Sequence, residues 1–330
     1  MTASLTRRRF ITVSAVALGL CLTAGAGYAR TPVRRWRGVA LGADAALTLR
    51  HPDPARADAI IGACMAEVRR LEKIFSLYRP DSALVRLNRD GRLPAPPLEL
   101  VDLLGRAHGY AEATGGAFDV TVQPLWRLYA EHFTRPGADS AGPSLKAIEE
   151  TRARVDFRNL RIEVQEIAFT KPGMALTLNG IAQGYITDRV ADLLRGFGMT
   201  DVLVNMGETR ALGGHPDGRP WRVGLENPGS EKTPLPRIDL RDAAIATSGG
   251  YGFVFTPGCR HHHILDPRTG VSPARWRRVS VIAADATTAD ALSTASMMLT
   301  GDQVASLSTV YDAETIALDH RGKEAVFTRG

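Results

Sequence analysis

The sequence predicts an α+β fold closed into one catalytic unit, and three observations carry that expectation. Apolar stretches with strand periodicity stand beside one another instead of alternating singly with helices. Helical periodicity arrives in blocks, at about 54 to 77, 98 to 113, 180 to 196 and 287 to 300. The 330 residues, 44% hydrophobic and 23% charged, suffice for one large core without internal repeats or low-complexity tracts. A regular βαβ alternation would instead predict a parallel sheet.

Taken in order, residues 1 to 29 stand apart. "TRRRFITVSAVALGLCLTAGAGYA" has an Arg-rich start, an apolar run and small residues before a cut after Ala29, which is the pattern of a secretory signal. The run is too short and Gly-rich for a comfortable membrane span. Thr6-Arg7-Arg8-Arg9-Phe10-Ile11 resembles a twin-arginine signal, whose machinery exports folded proteins. The expected mature chain, 30 to 330, then works in the periplasm. Leu20 before Cys21 is too large for lipoprotein processing. Loss of the signal lowers the formal charge from +6 to +3, which is no polyelectrolyte footprint and excludes nucleic acid as a partner.

Residues 38 to 49 read as a strand or hairpin, and 54 to 77 as a long amphipathic helix. On that helix Cys64 shares a stripe with Ile60, Val68, Leu71 and Phe75, so it reads as a core thiol. Cys259 is far away in sequence, and whether the two pair stays open. A second helix covers 98 to 113, with loop-rich breaks at "DGRLPAPP" and "TRPGADSAGPS". Short strands follow at "RIEVQEIAFT" and "MALTLN", then the helix 180 to 196 and the strand "DVLVNMG". The last third reads as strands "RIDLRDAAIAT", "GFVF", "HHHIL" and "RRVSVIAA", a helix at 287 to 300 and a closing strand pair.

Several segments carry groups suited to chemistry. Asp290 and Thr294 are four apart, so their oxygens project from one helix face and suit Mg²⁺ or Ca²⁺. The bland alternative is a cap, since Thr287 and Asp290 fit a Thr-x-x-acid pattern. The Asn179-Gly180 turn ahead of a helix offers carbonyls and amides to a ligand, or is a plain strand-to-helix turn; no phosphate-loop glycine pattern is present. Gly115 and Gly116 end a helix ahead of Ala117-Phe118-Asp119, where the acid either meets a polar ligand or completes a turn. "ATSGGYGF", 246 to 253, cradles an anion or simply turns.

The run Arg260-His261-His262-His263 makes a poor zinc cage, because neighbouring side chains of an extended segment face opposite ways. One or two of these histidines remain as hydrogen-bonding or proton-transfer groups, beside the rigid turn Asp266-Pro267-Arg268-Thr269-Gly270.

Together, "FSLYRPDSALVRLN", "TGGAFDVTVQPL", "NGIAQGYITDRV", "HHILDPRTG" and "TADALSTA" resemble, in this order, the FAD:protein FMN transferase family, also called the ApbE family. The resemblance spans about 38 to 327. It implies a single α+β domain that takes FAD as substrate with a divalent cation, usually Mg²⁺, and moves FMN onto a Thr or Ser hydroxyl of a target protein with release of AMP. By position it implies Asp290, Thr294 and the Gly180 carbonyl as metal ligands. It implies Leu41, Tyr78, Ala117, Phe118, Asp119, Thr177, Gln183, His263 and Ile264 as flavin-nucleotide contacts, with His263 and Asp290 as catalytic residues. The chain departs from the family pattern at Thr177, where an acid is usual, at Gln183, where lysine is usual, and at Leu41-Gly42-Ala43 in place of Met-Gly-Thr. "LNGIAQGY" with the export signal resembles the subgroup tied to nitrous-oxide-reductase maturation, which implies a membrane-bound flavoprotein as acceptor. Hydrolysis of FAD to FMN and AMP, or flavin binding without turnover, are the competing activities for the same residues.

Overall fold

A computed structural model describes residues 32–225, 237–256, 258 and 260–328. The expected export signal and Cys259 lie outside the described residues. In order, the chain forms β1 (Val33–Ala40), β2 (Ala43–Arg50), α1 (Pro54–Phe75), α2 (Ala83–Asp90), β3 (Arg92–Pro94), α3 (Leu98–Ala113), α4 (Gln123–Thr134), α5 (Leu145–Arg152), β4 (Leu160–Ile162) and β5 (Glu166–Phe169). These lead into α6 (Ala182–Gly196), β6 (Val202–Asn205), β7 (Thr209–Leu212), β8 (Trp221–Gly224), β9 (Arg237–Leu240), β10 (Ala244–Gly249), β11 (Trp276–Ala283), α7 (Ala286–Ser296), α8 (Gly301–Val310), β12 (Glu314–Asp319) and β13 (Glu324–Phe327).

Eight strands make the main sheet in the order β1-β2-β6-β7-β10-β11-β12-β13, with every pairing antiparallel. The sheet opens with a tight hairpin whose two turn residues, Leu41 and Gly42, both have positive φ (47° and 86°). That geometry matches the right-handed twist of the flanking strands. Helices α1, α6, α7 and α8 pack against the sheet, and their apolar stripes merge with it into the largest core cluster. Helix α1 starts cleanly because Asp53 accepts hydrogen bonds from the Ala55 and Arg56 amides and Pro54 presets the first turn. Its stripe Ile60, Cys64, Val68, Leu71 and Phe75 is buried as the periodicity predicts, and burial pushes the Cys64 thiol up to about 11. The α+β class therefore stands as expected, and where the sequence allowed mixed or antiparallel sheets every strand pairing described is antiparallel. None of the described helices is long and apolar enough to cross a membrane.

Helices α6 and α7 approach unusually closely. A Cβ placed on Gly184 of α6 would lie 2.3 Å from the carbonyl oxygen of Ala286 at the start of α7. Only glycine permits this contact, because the obstacle is backbone and cannot rotate away.

The structure corrects several sequence-based boundaries. "MALTLN" is no strand: it runs as an irregular extended segment, because the Asn88 side chain brackets it by accepting from the Leu176 amide and donating to the Leu176 carbonyl. "GFVF" and "HHHIL" share only an isolated bridge, Val254 with His262. "RIEVQEIAFT" folds back on itself as β4 and β5, and "RIDLRDAAIAT" breaks at Asp242, whose φ is 48°. The helix expected over 287 to 300 ends at Ser296, and a second begins after Thr300, where Thr300 and Gln303 form a capping box. Helices α2, α4, α5 and α8 escape the periodicity reading because they are 8 to 12 residues long and bury only a few apolar side chains each.

Replacing Gly184 with Ala is expected to lower unfolding stability by about 1–3 kcal/mol through forced separation of α6 and α7. Urea unfolding monitored by circular dichroism checks this; a loss under about 0.5 kcal/mol would contradict it.

Candidate active site

Two acids lock α6 and α7 together by capping each other's helix. Asp290, in the second turn of α7, accepts a hydrogen bond from the Gly184 amide in the first turn of α6 (3.0 Å). Asp188 of α6 accepts from the Ala286 and Thr287 amides (2.9 and 2.8 Å) and from the Thr287 hydroxyl at the start of α7. Each carboxylate satisfies amides that a helix start leaves without partners and complements the positive end of that helix. Arg210 from β7 pairs with Asp188 as well. The start of α7 is also capped by its own N-cap residue Asp285, which accepts from the Thr288 amide and hydroxyl. The Thr287–Asp290 capping box is thus not formed, and Asp290, 3% exposed, sits inside the molecule.

A set of oxygens surrounds this junction. Thr294, one turn beyond Asp290, lies 3.2 Å from the Ser248 hydroxyl of β10, which also contacts the Ser293 hydroxyl (2.8 Å). The Gly180 backbone presses on the same spot, since a Cβ there would lie 2.9 Å from Thr294 Oγ1. Glu208, in the β6–β7 turn, is buried nearby. Burial pushes Asp290 up to about 7, the Gly184 amide opposes this, and the Asp188 charge adds to it. Burial, and then the charge of Asp290, hold Glu208 well above the usual carboxylate range. Among the described residues no group of three or more His, Cys, Asp or Glu side chains is arranged around one point. The donors here are of mixed kind, carboxylate, hydroxyl and main chain.

A hollow borders this cluster. Leu41, Phe75, Ser76, Leu77, Tyr78, Leu178, Asn179, Ala182 and Gln183 line it, so it brings together Leu41, Tyr78 and Gln183 of the sequence-predicted residues. Tyr78 is 63% exposed, leaving its ring available to a planar ligand. Leu41 is fixed by its amide, which donates to Glu72 Oε1 (2.9 Å). The segment 178 to 184 runs from the hollow to Gly180 and Gly184, so hollow and oxygen cluster share one piece of backbone. Thr177 stands at the other end, where its amide donates to the Val120 carbonyl (2.8 Å) and its hydroxyl accepts from Asn179.

The Ala117-Phe118-Asp119 segment is buried, and the Asp119 carboxylate is committed internally. One oxygen accepts from the Thr121 amide and hydroxyl, the other from the Phe157 amide. A ligand at this segment would meet its backbone. Ile264 likewise has its side chain in the core.

The three histidines go to three environments. His261 packs against Tyr129 and Phe133 (ring centroids 5.8 and 5.3 Å). The buried His262 ring meets the Pro273 carbonyl (3.1 Å), and burial lowers it to about 4. His263 places Nδ1 3.0 Å from the Phe253 carbonyl. A carbonyl only accepts, so Nδ1 carries the hydrogen and Nε2 the lone pair. Burial lowers the His263 pKa, which favours this neutral form. The following turn is rigid: Asp266 accepts from the Arg268 backbone and guanidinium, and Arg268 reaches the Met298 carbonyl beyond α7.

Asp188, Glu208 and, individually, Ser248 are absent from the residues expected from sequence. The signal for Asp188 is an acid four residues after Gly184, on the face that packs inward. For Glu208 it is an acid between the apolar stretches "DVLVNM" and "ALGG".

This scaffold and the hollow it frames share their fold with solved flavin transferases. The chain is similar to the flavin transferase ApbE from Vibrio cholerae (TM-score 0.79, 26% identity, 91% of this chain and 98% of that one) and to the ApbE protein from Thermotoga maritima (TM-score 0.79, 29% identity, 91% and 100%). Residues 41–316 match the ApbE family model, and the chain belongs to that family. It is 34% identical over 254 residues to the FAD:protein FMN transferase of Treponema pallidum strain Nichols (70% of this chain, 69% of the relative). It is 35% identical over 244 residues to that of a V. cholerae serotype O1 strain (70% and 71%).

A pH dependence follows from Asp290. Its folded-state pKa, about 7, lies above its ordinary 3.8. The stability it contributes is therefore fully present below about pH 4 and lost as pH rises through 7. Asp290→Asn keeps an acceptor for Gly184 without the charge. In EDTA its melting temperature relative to wild type is expected to rise by roughly 3–6 °C between pH 4.5 and 8.5; a difference that stays constant over this range would contradict the assignment.

Proposed function

We propose that this chain, an FAD:protein FMN transferase by family and fold, moves the FMN half of FAD onto a Thr or Ser hydroxyl of an acceptor protein with release of AMP, and that it does so with a divalent cation. The observation that carries this reading is the junction of α6 and α7, where Asp290, Thr294 and the Gly180 backbone converge beside the hollow lined by Leu41, Tyr78 and Gln183. An oxygen-only donor set fits a hard cation, Mg²⁺ first and Ca²⁺ as the alternative, and the partnerless Glu208 Oε2 nearby marks a place where negative charge is uncompensated. Asp290, Thr294 and the Gly180 carbonyl would hold the ion. When bound, it neutralises the charge of the FAD pyrophosphate and of the departing AMP.

The chain's own residues do the rest. Tyr78 offers a face to the flavin nucleotide, and Leu41 and Gln183 close the hollow around it. Gln183 stacks its neutral amide over Gly207, so lysine's charge at this position is replaced by hydrogen-bonding capacity. The acceptor oxygen forms a bond to the FMN phosphorus, the bond from that phosphorus to the bridging oxygen breaks, and AMP departs with the bridging oxygen. The acceptor proton passes to a base, and neutral His263, with its lone pair on Nε2, is the proposed base. The arginine-rich start of the chain extends the proposal to a periplasmic enzyme, exported folded, whose acceptor is a membrane-bound electron-transfer flavoprotein of the nitrous-oxide-reductase maturation system.

Incubation with FAD, Mg²⁺ and an acceptor domain is expected to yield AMP and flavin fluorescence that survives denaturation and migrates with the acceptor. Free FMN with AMP would mean hydrolysis, and no AMP would mean binding alone. Asp290→Ala is expected to lower the transfer rate at least 100-fold, and His263→Ala at least 10-fold at saturating FAD and acceptor.

A further inference from the structure

Glu208 presents a buried charge that the fold alone does not explain. It sits in the turn between β6 and β7, 7% exposed. The backbone around it is pinned: the Met206 amide donates to the Glu208 carbonyl (3.1 Å), the Thr187 hydroxyl of α6 donates to the same oxygen (3.2 Å), and the Gly207 amide donates to Asn205 Oδ1 (3.1 Å). The side chain is therefore held inside. One carboxylate oxygen is served by the Thr247 amide, next to the Ser248 that touches Thr294. The other, Oε2, is fully enclosed and has no hydrogen-bond partner.

No ion pair compensates Glu208 among the described residues. Arg210, two positions on, is taken by Asp188. The charge that bears on Glu208 is that of Asp290, which has the same sign. An enclosed carboxylate oxygen without a donor is costly, and a second acid beside it adds repulsion. A divalent cation between or beside the two acids removes both penalties at once.

We infer that Glu208 is a further carboxylate of the cation site, contributing its negative charge to the ion held at Asp290, Thr294 and Gly180, either directly or through a cation-bound water. The inference rests on the cation reading of the proposed function. It gives the β6–β7 turn a role in ion affinity and ties the ion to the sheet as well as to α6 and α7. Loss of Glu208 weakens the ion while leaving the flavin-nucleotide hollow intact, because Glu208 lines no part of it.

The test is equilibrium binding of Mn²⁺ to the EDTA-stripped protein without FAD, with unbound Mn²⁺ read by electron paramagnetic resonance. Wild type is expected to bind one ion. Glu208→Gln and Asp290→Asn are each expected to weaken it at least 10-fold, while the Glu208→Gln melting temperature in EDTA stays at or above that of wild type. Wild-type affinity in Glu208→Gln alongside lost affinity in Asp290→Asn overturns the inference and leaves the cation reading standing. Unchanged affinity in Asp290→Asn overturns both. Should Glu208→Gln melt early, Glu208→Asp decides: recovery to within about threefold of wild type supports the charge role, and affinity no better than that of the Gln variant overturns it.

Discussion

The mutual capping of α6 and α7 by Asp188 and Asp290 is the interaction on which the rest of the site depends. Each helix start supplies amides with no partner of their own, and each acid comes from the other helix, so neither terminus is complete alone. Gly184 sets the distance, because its missing side chain lets the Ala286 carbonyl approach. With α7 fixed this way, its second turn carries Asp290 and its third carries Thr294 to the same place as Gly180. Because α6 begins immediately after the segment lining the hollow, the same contact places the hollow beside the oxygen cluster.

The arrangement trades stability for readiness. Asp188 is compensated by three hydrogen bonds from α7 and by Arg210, whereas Asp290 has the Gly184 amide and Glu208 has the Thr247 amide. Burial raises all three carboxyls, and the two less compensated ones are those beside Thr294 and Ser248. A protein seeking only stability would replace such acids with apolar groups. The cation proposed for this junction would account for their presence, its charge being met by fixed oxygens in place of water.

The sequence made the larger elements legible because they obey simple periodicities. The stripe Ile60, Cys64, Val68, Leu71 and Phe75 reads as a buried helix face and is one, and residues 38 to 49, read as a strand or hairpin, belong to the β1–β2 hairpin. Short helices escaped because a few buried residues cannot establish a period, although Ser82, Ser144 and Thr300 cap three of them in the way their residue types allow. "MALTLN" alternates like a strand, yet its partner is the Asn88 side chain, a contact 88 positions distant in the chain that no local pattern encodes. At the site, the Asp290–Thr294 spacing was visible while the role of Asp188 was not. Spacing within one helix follows from its pitch, but a carboxylate that caps another helix announces itself only once the two helices are side by side.

The central claim is that this junction holds the cation. The most direct measurement is an anomalous difference map from a crystal of the protein soaked in Mn²⁺ and FAD. The account predicts one strong peak within ligating distance of an Asp290 carboxylate oxygen, Thr294 Oγ1 and the Gly180 carbonyl oxygen. A peak lying elsewhere, at the histidine run for example, or no peak in a crystal with FAD bound in the hollow, would contradict it.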